Sequence, residues 1–124
     1  MKVSELSGAQ LDEWVARAEG HAVDRRFRAE ANSFVQVIVS EHGSRGVPHY
    51  SSDWAQGGPI IERERFEIAP WLDQDGHLHW LAQQQELRDL FNKHALSGAT
   101  ALVAAMRAYV ALKFGADVPD EVPA

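Results

Sequence analysis

The sequence predicts an α+β domain: a small antiparallel sheet of about three strands, sandwiched between helices. Three observations carry that expectation. Segments with apolar residues at i, i+3, i+4 and i+7 are interspersed with segments of apolar–polar alternation. Asp75-Gly76 joins two alternating segments as a hairpin turn. An Ala-rich segment near the C-terminus reads as a slim helix that can lie close on a sheet or another helix.

At 124 residues the chain reads as one domain over 1–124, with 116–124 an acidic, proline-containing tail. The 45% apolar and 24% charged fractions are those of an ordinary soluble protein. With no cysteine there is no disulfide, thiolate ligand or Cys nucleophile. No apolar run approaches the roughly 18 residues of a membrane span, and Met1–Gln10 has no signal core. The expectation is a cytoplasmic protein without membrane contact. The net charge of −6 disfavours non-specific binding to phosphate backbones. Its one basic cluster, Arg25-Arg26-Phe27-Arg28, reads as a solvated face.

Residues 7–19 read as a helix, with Ser7 and Gln10 as a capping box and Leu6 and Leu11 as a staple. Leu11, Trp14, Val15 and Ala18 form its stripe, and Gly20 ends it. Residues 24–41 fit two patterns. Phe27, Ala31, Phe34, Val35 and Ile38 follow a helical stripe, while 34–40 is β-branched enough for a strand. The favoured reading is a strand over 34–40 after a partly helical approach. His42 to Pro48 reads as a loop because two glycines and a proline crowd it.

The stretch Tyr50 to Arg63 is the most individual part of the chain. Ser52 or Asp53 suits an N-cap for a helix from Trp54 to about Arg65. Pro59 lacks an N–H and would clash with the Ala55 carbonyl, a cost of about 3 kcal/mol or more in a helix interior. Either the helix kinks, with Gly57 and Gly58 absorbing the bend, or a fresh helix starts near Pro59. Trp54 reads as a core anchor ahead of an exposed aromatic platform. Residues 66–72 and 77–82 form the hairpin, with Pro70 confined to an edge strand or a bulge. Gln84 to Ala95 reads as a helix through Leu87, Leu90, Phe91 and His94, broken by Ser97-Gly98. Thr100 then caps a last helix, Ala101 to Phe114, ended by Gly115.

Little of this assembles into chemistry. His77 and His79 share a strand face that could bind a transition metal with oxygen from Asp73 or Asp75, but no third ligand is identifiable, so they read as solvent-facing and no metal or cofactor is assigned. Asp73-x-Asp75-Gly76 reads as a turn, not a calcium loop. Gly57-Gly58-Pro59 lacks the Lys-Ser/Thr end of a phosphate loop. Glu62-Arg63-Glu64-Arg65 reads as a solvated face with weak pairs. Arg107, alone among apolar and alanine neighbours, is expected to pair with Asp53 or Glu62, or to serve as a site arginine for an anion. No catalytic residue is assigned, and enzymatic activity is left open with the balance against it. The candidate binding residues are Tyr50, Asp53, Trp54, Gln56, Gly57, Gly58, Glu62 and Arg107.

Three segments carry a family resemblance: Leu6-Ser7-Gly8 with Leu11-Asp12 and Val15 to Gly20; Tyr50-Ser51 with Asp53 to Glu64; and Ala104 to Val110 with Lys113-Phe114-Gly115. In this order they resemble the NinX-like family of small bacteriophage and prophage proteins. The order is also similar to phage ABA-sandwich domains, where a Tyr-Ser-(Ser/Thr)-Asp segment opens the second helix. The resemblance implies a phage-derived protein of the bacterial host cytoplasm, with helices on both faces of the sheet, and carries over no biochemical activity. A proline commonly found between the Tyr-Ser and Asp-Trp pairs is missing here, where Ser51-Ser52 runs straight through. The function expected is a non-enzymatic accessory protein that binds a host or phage protein around Tyr50, Asp53, Trp54, Gln56 and Gly57. The alternative is a small-ligand or enzymatic site formed with Glu62 and Arg107. Nucleic-acid binding ranks third, and a homodimer is left open.

Overall fold

The structure, a computed structural model, describes residues 1–84 and 95–119. Among these, the strands divide between two three-stranded antiparallel sheets, where the sequence suggested one. Ala22–Arg28 (β1), Ser33–Ser40 (β2) and Gly43–Gly46 (β3) make the first, with β2 central. Phe66–Leu72 (β4), Leu78–Gln84 (β5) and Leu96–Gly98 (β6) make the second, with β5 central. The helices are Gly8–Ala18 (α1), Trp54–Glu64 (α2) and Ala101–Phe114 (α3), after a 3-10 turn at Val3–Glu5. The class is therefore α+β.

The first sheet corrects the reading of 24–48. The partly helical approach is β1, paired along its length with β2. The spacing that imitated a helix is a cross-strand pair. A short turn at 29–32, closed by Asn32 in the left-handed region, sets Phe27 opposite Phe34. Their rings meet edge to face at 5.6 Å, a favourable aromatic geometry. Residues 43–46, read as loop, form the exposed edge strand β3 against β2. Their glycines and short polar side chains carry no strand signal.

The second sheet follows the sequence closely. Asp73 to Gly76 turns the chain, and Pro70 lies on edge strand β4, where its missing N–H breaks no ladder. Ser97-Gly98 belongs to β6. Gly98 is needed for contact: a Cβ would lie 2.6 Å from the Ala104 nitrogen, so only glycine lets β6 reach α3. The helix expected over 84–95 falls outside the described residues, apart from Gln84 in β5 and Ala95.

α3 runs between Thr100, whose hydroxyl accepts from Val103 N–H at 3.1 Å, and Gly115, as its caps predicted. Its slim face packs on β5, β6 and α1. Ala104, Ala105, Met106, Tyr109 and Val110 are buried there with Leu11 and Val15 of α1. α1 starts without the predicted capping box. The chain turns into it through Gly8 at φ +55°, and the Ser7 side chain makes no cap hydrogen bond. α2 is one helix with Pro59 inside it, so no fresh helix starts at the proline. Packing carries it past the lost hydrogen bond: Ile60 and Gly57 are buried, and left-handed Arg65 ends it directly before β4. The start of the acidic segment is tied down. Val3 N–H donates to Ala116, Val118 N–H donates to Met1, both at 2.9 Å, and Val118 is buried.

Candidate functional site

A cleft of about 830 Å³ lies between the first sheet, the first turn of α1, the segment 47–54 and the start of α3. Val35, Val37, Val47 and Leu102 give it apolar walls, and Asp12, Gln36, His49, Ser51 and Ser52 give it polar ones. The first turns of all three helices contribute, through Gly8, Trp54 and Leu102. Helix starts present unpaired N–H groups and partial positive charge. Asp12 answers part of that: its carboxylate is buried and accepts the Ser51 N–H at 2.8 Å. This bond ties α1 to the chain just before α2 and fixes the cleft floor.

Asp12, His49, Ser51 and Ser52 are residue types of a hydrolytic triad, but their geometry does not assemble one. The Asp12–His49 separation is 3.8 Å, beyond hydrogen-bond reach, and no hydrogen bond among the described residues joins the His49 ring to either serine. The His49 side chain is 80% exposed, so nothing fixes its ring as a base.

The sequence-predicted residues take unequal places. Trp54 is 56% exposed and lines the cleft, so it is no core anchor. Asp53 caps α2 by accepting the Ala55 N–H at 2.9 Å. Tyr50 is buried; burial above all, then the charge of Glu19, pushes its hydroxyl pKa up. Gly57 is packed so that a Cβ would collide with the Tyr50 carbonyl and come within 2.7 Å of Leu102. This close approach requires glycine there. At Gly58 a Cβ would meet only Trp54, at 3.8 Å. Gln56 and Glu62 are exposed on α2.

Arg107 joins neither Asp53 nor Glu62 among the described residues. Its guanidinium donates to the carbonyls of Leu6 and Ser97, each at 2.8 Å, pinning the 3-10 segment to β6. Burial lowers its pKa. Backbone carbonyls as partners leave no trace in the sequence, which is why carboxylates were expected.

Two charged clusters were missed. Glu13 is fully buried and meets Arg17 at 3.3 Å and Arg25 at 3.4 Å, so Arg25 of the basic cluster braces β1 against α1. The i, i+4 spacing of Glu13 and Arg17 was the available signal. Arg63, read as part of a solvated run, grips Glu19 with two hydrogen bonds at 3.1 and 2.7 Å and donates to the Tyr109 hydroxyl at 3.1 Å. Tyr109 donates in turn to Glu19 at 2.6 Å. Burial works to raise the Glu19 pKa, but the hydrogen bonds from Arg63 and Tyr109 outweigh it, and the net shift is downward. Burial, then Glu19, pushes the Tyr109 hydroxyl well above its usual range.

His77 and His79 are not simply solvent-facing, because both rings turn toward Asp73. His79 Nε2 lies 2.8 Å and His77 Nδ1 3.7 Å from Asp73 Oδ2. The Asp73 carboxyl is held below the usual range, first by the His77 backbone N–H.

Fold and cleft define a small α+β protein with an open, mixed-lining cleft at the start of its helices. The family model described as Bacteriophage P22, NinX matches residues 2–113, and the chain belongs to that phage family. A search of the curated proteins found no match. No helix among the described residues is long and apolar enough to cross a membrane.

Proposed function

We propose that this phage protein is a non-enzymatic accessory module that binds a host or phage protein in the bacterial cytoplasm, at the cleft beside the first turn of α2. One observation carries the reading: Trp54, 56% exposed, stands on an open cleft of about 830 Å³. Aromatic side chains flanking a groove are the usual anchors of protein interfaces. Gln56 adds a polar contact on the same exposed helix start, while Tyr50, Asp53 and Gly57 hold that start in place. A second reading, a small ligand in the same cleft, is favoured by its volume, within the roughly 300–1,000 Å³ of ligand sites, and by buried Asp12 and Ser51 on its wall. Nucleic acid fits least: the net charge is −6, and Arg25, Arg26, Arg63 and Arg107 already have partners. The test is affinity capture from phage-infected host lysate with wild type and Trp54→Ala, followed by binding of the identified partner as a purified protein. Loss of that binding in the variant supports the surface, and equal affinity overturns it.

A further inference from the structure

We propose that the turn joining β4 to β5 binds one transition-metal ion of the zinc type through Asp73, Asp75 and His77, with His79 holding the Asp73 carboxylate in place. The sequence offered two histidines and no identifiable third ligand. The fold supplies it: donor atoms of Asp73, Asp75 and His77 all lie within 4.8 Å of one another. His79 stands beside this group, with Nε2 2.8 Å from Asp73 Oδ2. Arms of about 2.0–2.1 Å in a tetrahedral site place ligand atoms roughly 3.3 Å apart. The 3.7 Å between His77 Nδ1 and Asp73 Oδ2 is close to that value.

The turn itself does not account for this convergence. It uses the other carboxylate oxygen, Oδ1, which accepts the N–H groups of Asp75 at 2.9 Å and His77 at 2.8 Å. Oδ2 is left to the two imidazoles. The His79 ring is further held against Trp71, centroids 5.6 Å apart. Asp73 is thus fixed by the backbone and His79 by an aromatic neighbour, which is how a site is oriented before an ion arrives.

The donor set selects the ion. An imidazole with carboxylate oxygens suits zinc, cobalt or nickel, whereas magnesium and calcium call for oxygen alone. Two carboxylates balance the charge of a divalent cation. His79 keeps its contact with Asp73 Oδ2 and so orients that carboxylate for the ion. Water completes the coordination, because the His77 side chain is 75% exposed.

The test is calorimetric titration of the full chain with zinc chloride, alongside cobalt(II) titration followed by visible absorption. The expected result is one ion per chain and a cobalt spectrum of low-coordinate form. Asp73→Asn keeps the Oδ1 acceptor that shapes the turn, and His79→Ala leaves the turn untouched. Each weakens binding by more than about tenfold, a loss that even indirect neighbours of a metal produce. His42→Ala, at a histidine 86% exposed elsewhere, leaves the titration unchanged. Absence of zinc heat and cobalt absorption in the wild type overturns the site. Undiminished binding by the His77→Ala/His79→Ala double variant does the same.

Discussion

At its N-terminal end α2 meets the rest of the protein through Gly57, pressed on the Tyr50 carbonyl and Leu102, and leaves Trp54 in solvent. At its C-terminal end it meets the rest through Arg63, whose guanidinium is locked onto Glu19, Tyr109 and Glu64. The large aromatic is the free group and the charged residue the fixed one, the reverse of what residue type suggests. Position relative to neighbouring backbone decides the matter. Where α2 comes close to the chain, no side chain fits; where it stands off, a long one bridges the gap. Structural work at the two ends of α2 is therefore done by a glycine and an arginine, while the tryptophan stays largely in solvent.

The glycine end gives the largest expected effect. In an ordinary helix interior, Gly→Ala stabilises by about 0.5–1 kcal/mol. At Gly57 the new methyl meets a backbone oxygen that cannot rotate away, so Gly57→Ala should destabilise by about 2–3 kcal/mol, the range of an overpacked core. Gly58→Ala is the control. Its methyl meets only the Trp54 ring, at 3.8 Å, and should give the ordinary gain of about 0.5–1 kcal/mol. Urea unfolding midpoints of the two variants should move in opposite directions. A stabilised Gly57→Ala protein would contradict the close approach.

The arginine end gives smaller effects. Tyr109→Phe keeps the buried ring and its edge contact with Phe66 but loses the hydroxyl between Arg63 and Glu19. A loss of about 1–2 kcal/mol is expected in thermal or urea unfolding, as for one hydrogen bond with charged partners. Glu19 adds a pH signature. Its pKa is lower in the folded protein than the ordinary value of 4.5, so the unfolded chain takes up a proton first as pH falls. Its contribution is complete above pH 4.5 and is lost as pH falls through the lower folded value. Because half of the Arg63 side chain is exposed, solvent screens part of this effect. Glu19→Gln should flatten the acid limb of the stability curve and leave the neutral-pH slope as it was; an unchanged acid limb would mean that Glu19 is not coupled to folding.

The same contrast explains what the sequence could reveal. Local signals read correctly: Thr100 and Gly115 bound α3, and Asp75-Gly76 locates the β4–β5 hairpin. Non-local ones did not. Phe27 and Phe34 are seven apart, which a helix and a tight hairpin satisfy equally, so β1 was taken for part of a helix. Gly57 looked like relief for Pro59, because a sequence does not display the carbonyl pressed against it. Arg107 was assigned carboxylates, since acids are visible in a sequence and the acceptors it uses, main-chain carbonyls, are not. Of the candidate binding residues, the start of α2 stays together because its members are neighbours in sequence. Arg107 belonged to that group only by inference across the fold.

Trp54 gives the smallest effect on stability and the sharpest test of the comparison. A buried tryptophan replaced by alanine costs about 3–5 kcal/mol. At 56% exposure Trp54 has no such role, and a surface change that leaves the Asp53 cap and the ion pairs in place stays within about 0.5 kcal/mol. Trp54→Ala should therefore unfold at nearly the wild-type urea midpoint while losing the partner. Gly57→Ala should show the complementary pattern, with stability reduced and, under conditions where it remains folded, partner binding kept, because Gly57 holds the helix and presents nothing to the cleft mouth. If Trp54→Ala loses stability like a core variant, the aromatic is structural, the two ends of α2 do the same work, and the proposed contact surface has no anchor.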